Sequence, residues 1–248
     1  MDTYLFLDLD DTVFQTRGKC GCDMDLLPAA LGRDGAPLSF MTQKQRTIFS
    51  HFDEKMIVIP ATARNLDSFN RVQMQFKHCV ILNFGGVVLD PERKVDSRWL
   101  SRMKAESMSS HELLRDAHED IEDIIRREGL TSTARIISDY GIDFYVVVKN
   151  PDRRVADLEV IKDFLLDRYD SGLSYTHFND NNLCVIPSYL NKAGAVQYTI
   201  ENYIAPRKRE YLTLGMGDSI TDLDFMKLCD YIIVPGRSQI RKFRFEHA

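Results

Sequence analysis

"LFLDLDDTVF", residues Leu5 to Phe14, decides how this chain is read. An apolar run enters the stretch as a buried strand would, then delivers three aspartates within four positions: Asp8, Asp10 and Asp11. Two carboxylates about 4 Å apart repel by about 4 kcal/mol at an effective dielectric of about 20. Solvent, a cation or a proton held at a raised pKa must offset that repulsion. Residues two apart on an extended chain point the same way, so Asp8 and Asp10 share a face while Leu9 packs oppositely.

Outward from this stretch the chain alternates short apolar runs with helical patterns. Strands are expected at Tyr4–Leu7, Met56–Ile59, Val80–Leu82, Tyr211–Leu214 and Tyr231–Val234, and helices at Gln43–Phe52, Leu66–Phe76, Ala193–Tyr203 and Ile220–Leu228. Short β runs separated by helices indicate an α/β fold, a Rossmann-like doubly wound parallel sheet with helices on both faces. Chemistry in such sheets collects beyond the carboxyl ends of the strands, and Asp8 sits at one of them. The rhythm breaks after "NFGGVVLD", Asn83 to Asp90, and returns near Pro187. In between, Leu114, Ala117, Ile121, Ile124 and Ile125 follow helical spacing, "DFYVVVKN" (Asp143 to Asn150) reads as a strand, and Leu158–Tyr169 as another helix. An inserted α+β unit, residues 88–186, within a core of 1–87 and 187–248 is the economical division. Gly85-Gly86 and Pro187 are its expected hinges. The polar "HFNDNN" (His177 to Asn182) is read as a loop.

Three further places end expected core strands. In "IPATARN", Thr62 follows an apolar run and precedes a helix, where its hydroxyl and the amide of Ala63 can hold a phosphate oxygen. In "NKAGAV", Lys192 opens a helix, a position the helix dipole disfavours for a cation unless anions lie nearby. In "GMGDSITDLDFM", two glycines allow a tight turn, and Asp218 and Asp222 then fall one helical turn apart.

In this order, the four places resemble the haloacid dehalogenase-like superfamily of phosphohydrolases. That family's pattern runs DxDx[TV], a Ser or Thr after the second strand, a Lys, then GDxxxD. Here Asp8-Leu9-Asp10-Asp11-Thr12, Thr62, Lys192 and Gly217-Asp218 with Asp222 match it. The insertion falls where that family's type-2 cap sits, and the nearest likeness is to sugar-phosphate phosphatases of the Cof and sucrose-phosphatase kind. Two departures stand out: Ala63 replaces a usual Gly, and Gln15–Met41 is longer than the family leads one to expect, with no assigned role.

The resemblance implies a phosphatase in which Asp8 attacks phosphorus and Asp10 serves as general acid and then base. Thr62, Ala63, Arg64 and Lys192 bind the substrate, and Asp8, Asp10, Asp218 and Asp222 are the candidate ligands of a Mg²⁺ ion. Four carboxylates against one lysine leave a charge near −3 facing a dianion, so a divalent cation is required. Lys149, Arg153 and His177–Asn182 are the insertion's candidates for choosing the alcohol.

The bulk properties agree with a small phosphorylated metabolite as partner. Lys and Arg number 32 against 37 Asp and Glu, a net −5 with no basic stripe, which disfavours a nucleic-acid surface. No apolar run approaches a membrane span, and five cysteines, an odd number, fit a reducing cytoplasm with Cys20 and Cys22 as free thiols. Oligomeric state is not legible. Three other readings compete: a receiver-like switch, a dehalogenase, and a phosphomutase or phosphotransferase on the same core. A receiver-like phosphorylation switch also uses clustered acids, Thr and Lys, but its acceptor ends a middle strand. A dehalogenase does not need Asp10. A phosphomutase would keep all four motifs.

Overall fold

The computed structural model describes residues 1–22, 25–169 and 172–245. Contacts divide the chain into two compact units, Met1–Ser97 with Asn191–Ala248, and Arg98–Leu190.

The first unit opens with β1 (Asp2–Leu7), whose Leu5, Phe6 and Leu7 are fully buried, as a strand covered on both faces requires. Then come β2 (Gln15–Thr16), β3 (Leu27–Leu31), β4 (Pro37–Met41), α1 (Gln43–Lys55), β5 (Ile57–Pro60), α2 (Leu66–Phe69), β6 (Val80–Leu82) and β7 (Val87–Leu89). The second unit holds α3 (Ser97–Ser107), which begins at the boundary, α4 (His111–Arg127), β8 (Thr133–Asp139), β9 (Ile142–Lys149), α5 (Val155–Tyr169), β10 (Ser174–Asn179) and β11 (Asn182–Pro187). The first unit resumes with α6 (Lys192–Thr199), β12 (Tyr211–Met216), α7 (Leu223–Met226), β13 (Tyr231–Ile233) and α8 (Gln239–Phe245).

The core sheet runs β13-β12-β1-β5, all parallel, and a parallel bridge from Ala61 to Ile81 brings β6 beside β5. The chain leaves β1 toward β5 on one side and returns on the other through β12. The strand order therefore reverses between β1 and β12, and a crevice opens at their carboxyl ends. The expected α/β core is present.

In the second unit the antiparallel sheet β10-β11-β9-β8 is covered on one face by α4 and α5. Leu114, Ala117, Ile121 and Ile124 of α4 and Leu158, Ile161 and Leu165 of α5 pack on Val146, Val148, Leu183 and Val185. Each such side chain contributes roughly 1.5–3 kcal/mol on full burial, enough for this unit to carry its own core.

Three local readings are corrected. The helix expected over Leu66–Phe76 stops at Phe69, because the following residues bond to a strand instead: Leu31 N–H donates to Arg71 O (3.0 Å) and Gln73 N–H to Ala29 O (2.8 Å). That strand belongs to a three-stranded antiparallel sheet, β2-β4-β3, which is what the long Gln15–Met41 segment builds. The His177–Asn182 stretch is a hairpin rather than a loop, with Asp180 at φ +53° turning the chain between β10 and β11.

The third correction concerns Gly85. The turn after β6 holds Asn83, Phe84 and Gly85 at φ +51°, +54° and +102°. It is fastened by Asn83 N–H to Arg64 O (2.9 Å) and Phe84 N–H to Thr62 O (3.2 Å). A Cβ on Gly85 would lie 2.2 Å from Asn191 O, so the turn is wedged against the start of α6. A residue so confined is a spacer, not a hinge. Gly85→Ala should therefore lower stability by about 3 kcal/mol, combining overpacking with left-handed strain. Gly35→Ala, at φ +78° with nothing within 4 Å of its Cβ position, should cost only the strain, about 1 kcal/mol. Urea denaturation of both variants checks the difference; equal midpoints would remove the wedge.

Candidate active site

The site begins where the ladder of β1 ends. Asp8 N–H donates to Met216 O at 2.9 Å, which holds Asp8 level with the end of β12. Two residues beyond Met216, Asp218 starts the turn that leads to Asp222. Gly217 makes that turn possible: a Cβ there would lie 2.5 Å from the Cβ of Asp222. Ser219 then ties the turn down, its N–H and hydroxyl both donating to Asp222 Oδ2, at 3.1 and 2.9 Å. From the other crossover, Asn191 caps α6 by accepting Gly194 N–H at 2.8 Å, and Lys192 is the first helical residue.

These elements bring one carboxylate oxygen each from Asp8, Asp218 and Asp222 within 4.8 Å of one another. Lys192 Nζ donates to Asp8 Oδ1 and to Asp222 Oδ1, both at 2.6 Å. The Thr12 hydroxyl lies 3.0 Å from Asp8 Oδ2 and 3.2 Å from Asp218 Oδ1, and so reaches both carboxylates. All five side chains are buried. The unfavourable place of a cation at a helix N-terminus is thus explained: its anionic partners are there.

The charge balance is unfinished. Burial pushes the Asp8 carboxyl well above the usual range, Lys192 pulls it back, and Asp222 and Asp218 push it up again. Burial, then Asp222 and Asp11, raise Asp218 to about 7 against the pull of Lys192 and Thr12. Lys192 is itself raised: burial disfavours its charge, but Asp222 and Asp8 outweigh that. It is therefore an ammonium at neutral pH, and one cation faces three acids. The donor set is all carboxylate oxygen, the chemistry of a hard divalent cation, and such an ion fits here.

Of the remaining sequence-predicted residues, Thr62 is buried beyond β5 and its hydroxyl accepts Arg64 N–H at 3.2 Å. It does not stand at a helix N-terminus, since α2 starts at Leu66 and is capped by Asn65. Ala63 is half-buried beside it. Asp10 and Arg64 need correction. The Asp10 carboxylate, counted among the metal ligands, lies outside the three-carboxylate cluster. Both of its oxygens accept from Arg64, Nε to Oδ2 and Nη2 to Oδ1, each at 2.7 Å. Arg64, counted as a substrate contact, is committed to that pair.

Two residues of the site were missed. Thr12 was spelled out in the first motif without a role, and its position four after Asp8 was the available signal. Ser219 stands three before Asp222, the spacing of a capping box, and the two do form one.

No family model matches the chain, and no curated protein matches it. Solved structures do. The C-terminal domain of C. albicans trehalose-6-phosphate phosphatase superposes with a TM-score of 0.56 at 16% identity, over 91% of this chain and 73% of that one. Sucrose-phosphatase from Synechocystis sp. PCC6803 gives 0.52 at 16% identity, over 94% and 83%. N-terminally truncated Plasmodium falciparum IMP-nucleotidase gives 0.56 at 13% identity, over 95% and 66%. At such identities the likeness is one of fold, and the chain has the fold of these two phosphatases and the nucleotidase.

A buried acid with a raised pKa binds its proton more tightly folded than unfolded. Asp218, with an ordinary value of 3.8 and a folded value of about 7, therefore makes stability fall as pH rises between those values, with no further loss above. Buried His78, lowered to about 4 by burial and then by Arg207 and Arg93, slopes oppositely between about 4 and its ordinary 6.5. The Asp218→Asn variant isolates the first contribution. In chelator-treated protein its melting temperature, relative to the parent, should climb from pH 4 to 7 and then level off. A flat difference would mean that Asp218 does not carry the burial cost.

Proposed function

We propose that this chain is a Mg²⁺-dependent phosphatase that hydrolyses a small phosphate monoester, a sugar phosphate first among them, through an aspartyl-phosphate on Asp8. The observation that carries the reading is Asp8 at the end of β1, held by Lys192 and Thr12 beside Asp218 and Asp222. Two of the matched folds, named for trehalose-6-phosphate and sucrose phosphatases, support the substrate class.

Phosphoryl transfer depends on positioning and electrostatics, with nucleophile and leaving oxygen in line. The bond from an Asp8 carboxylate oxygen to phosphorus forms as the ester P–O bond breaks, and Asp10 gives its proton to the departing alkoxide. A water oxygen then bonds to phosphorus, its proton goes to Asp10, and the Asp8–phosphorus bond breaks. Lys192 fixes the Asp8 carboxylate and offsets charge, while the Thr62 hydroxyl and the Ala63 amide hold phosphate oxygens. Asp8, Asp218 and Asp222 would hold the Mg²⁺, which when bound supplies the charge neutralisation that the dianionic substrate needs. Residues 88–186 select the alcohol. Five free cysteines support a reducing compartment such as the cytoplasm.

Asp8→Asn should abolish release of phosphate from an aryl phosphate with the fold intact by circular dichroism. Chelation should abolish it reversibly, and Mg²⁺ should restore it. Asp10→Asn should slow alkyl phosphates by about 10²–10⁴ and aryl phosphates less, because a good leaving group needs little protonation. Full activity in Asp8→Asn, or in exhaustively chelated enzyme free of bound metal, would reject the proposal.

A further inference from the structure

The proposed chemistry requires a proton donor on the leaving-group side of phosphorus, opposite the nucleophile. Asp8, Asp218 and Asp222 are buried, whereas the Asp10 side chain is 49% exposed. The acid therefore sits toward solvent from the nucleophile, as an in-line displacement demands. Asp10 follows a strand end in a turn where Asp11 takes φ +62°, and an exposed carboxylate in such a place has free rotamers. Arg64 removes that freedom. Its fork meets both Asp10 oxygens at 2.7 Å, the bidentate geometry that fixes direction as well as distance.

Arg64 is itself fixed from three sides. Its Nη1 donates to Ser68 O at 3.0 Å, its guanidinium carbon stands 5.1 Å from the centre of the Phe14 ring, and its side chain is only 12% exposed. The backbone on either side is stitched to the site: Arg64 N–H donates to the Thr62 hydroxyl, and Arg64 O accepts Asn83 N–H. The phosphate-side threonine and the acid's counter-ion thus share one short rigid loop. A carboxylate has about four lone-pair sites, and the fork takes one on each oxygen. Each oxygen keeps another for the leaving group or water.

We infer that Arg64 is a positioning residue that holds the Asp10 carboxylate at the rim of the site, aimed at the leaving oxygen, rather than a contact for the substrate. This rests on the proposed function, because it gives Arg64 an effect only through Asp10. Lysine in its place could offer a point charge but not the fork.

The test compares a nitrophenyl phosphate with a sugar phosphate in single-turnover experiments on the parent and on Arg64→Gln, Arg64→Lys, Asp10→Asn and the Arg64→Gln/Asp10→Asn double variant. Arg64→Gln should slow phosphoryl transfer from the sugar phosphate by about 10²-fold, the scale of a misplaced catalytic group, and from the aryl ester by less than about threefold. Arg64→Lys should recover part of the loss, and Arg64→Gln should add nothing in the Asp10→Asn background. Equal losses on both esters, a rise in KM with the rate at saturation unchanged, or full additivity with Asp10→Asn would overturn the inference. If Asp10→Asn itself slows both esters alike, the acid role falls and the Arg64 inference falls with it. Leaving-group dependence in Asp10→Asn but not in Arg64→Gln defeats the Arg64 inference alone. Should Arg64→Gln fail to fold, Arg64→Lys carries the same comparison.

Discussion

The buried bridge from Lys192 to Asp8 and Asp222 is the constraint on which the rest of this structure depends. Its three residues lie on three elements: the end of β1, the start of α6 and the turn before α7. A buried ion pair gains little net stability, since desolvation offsets attraction. Removing one partner, however, typically costs about 3–5 kcal/mol, because a charge is left buried alone. The bridge therefore acts less as glue than as a specification of which strand end meets which helix start. Gly85 and Gly217 serve the same end, each admitting a close approach that a side chain would block: Gly85 against Asn191, Gly217 against Asp222.

The strand order makes this convergence possible. Asp8 and Asp218 stand at the carboxyl ends of β1 and β12, neighbours in the sheet though some two hundred residues apart in the chain. The crevice between them exists because the chain goes one way from β1 and comes back on the other side. The pairing of Leu7 with Met216 carries Asp8 opposite Gly217, one residue short of Asp218, and a slip of one residue would move every side chain of β1 to the other face. Because that strand is buried on both sides by large residues, such a slip is heavily penalised.

Most of the core was legible because local and global signals agreed there. The run before Asp8 is apolar without alternation, so it had to be a central strand, and α1 carries both its apolar spacing and its Thr42–Gln45 capping box in the sequence. The readings that failed did so where backbone hydrogen bonds were claimed by distant residues. Nothing local in Asn70–Phe76 shows that Arg71 and Gln73 will pair with β3, so a helical pattern was continued too far. The destination of Gln15–Met41 depends on the same long-range pairing. At the site, residue types could be read from motif spacing, but directions could not. Asp8 and Asp10 were placed on one face by strand periodicity, and that periodicity ends with the strand: the turn at Asp11 carries the Asp10 carboxylate to Arg64 instead.

That separation of the two acids resolves a conflict in the chemistry. A fourth carboxylate inside the buried cluster would raise further the cost of ionising Asp8 and Asp218, both already raised by burial and by neighbouring carboxylates. Paired with Arg64 outside the cluster, Asp10 adds no net charge to the interior, and in the proposed reaction it is the acid that serves the leaving group. The buried cluster is tied together by Lys192, whereas the Asp10 carboxylate, about half exposed, is held by the Arg64 fork. In the proposed function, choice of the alcohol falls to residues 88–186 and to Asp10 with Arg64, while the Lys192 bridge serves every substrate alike.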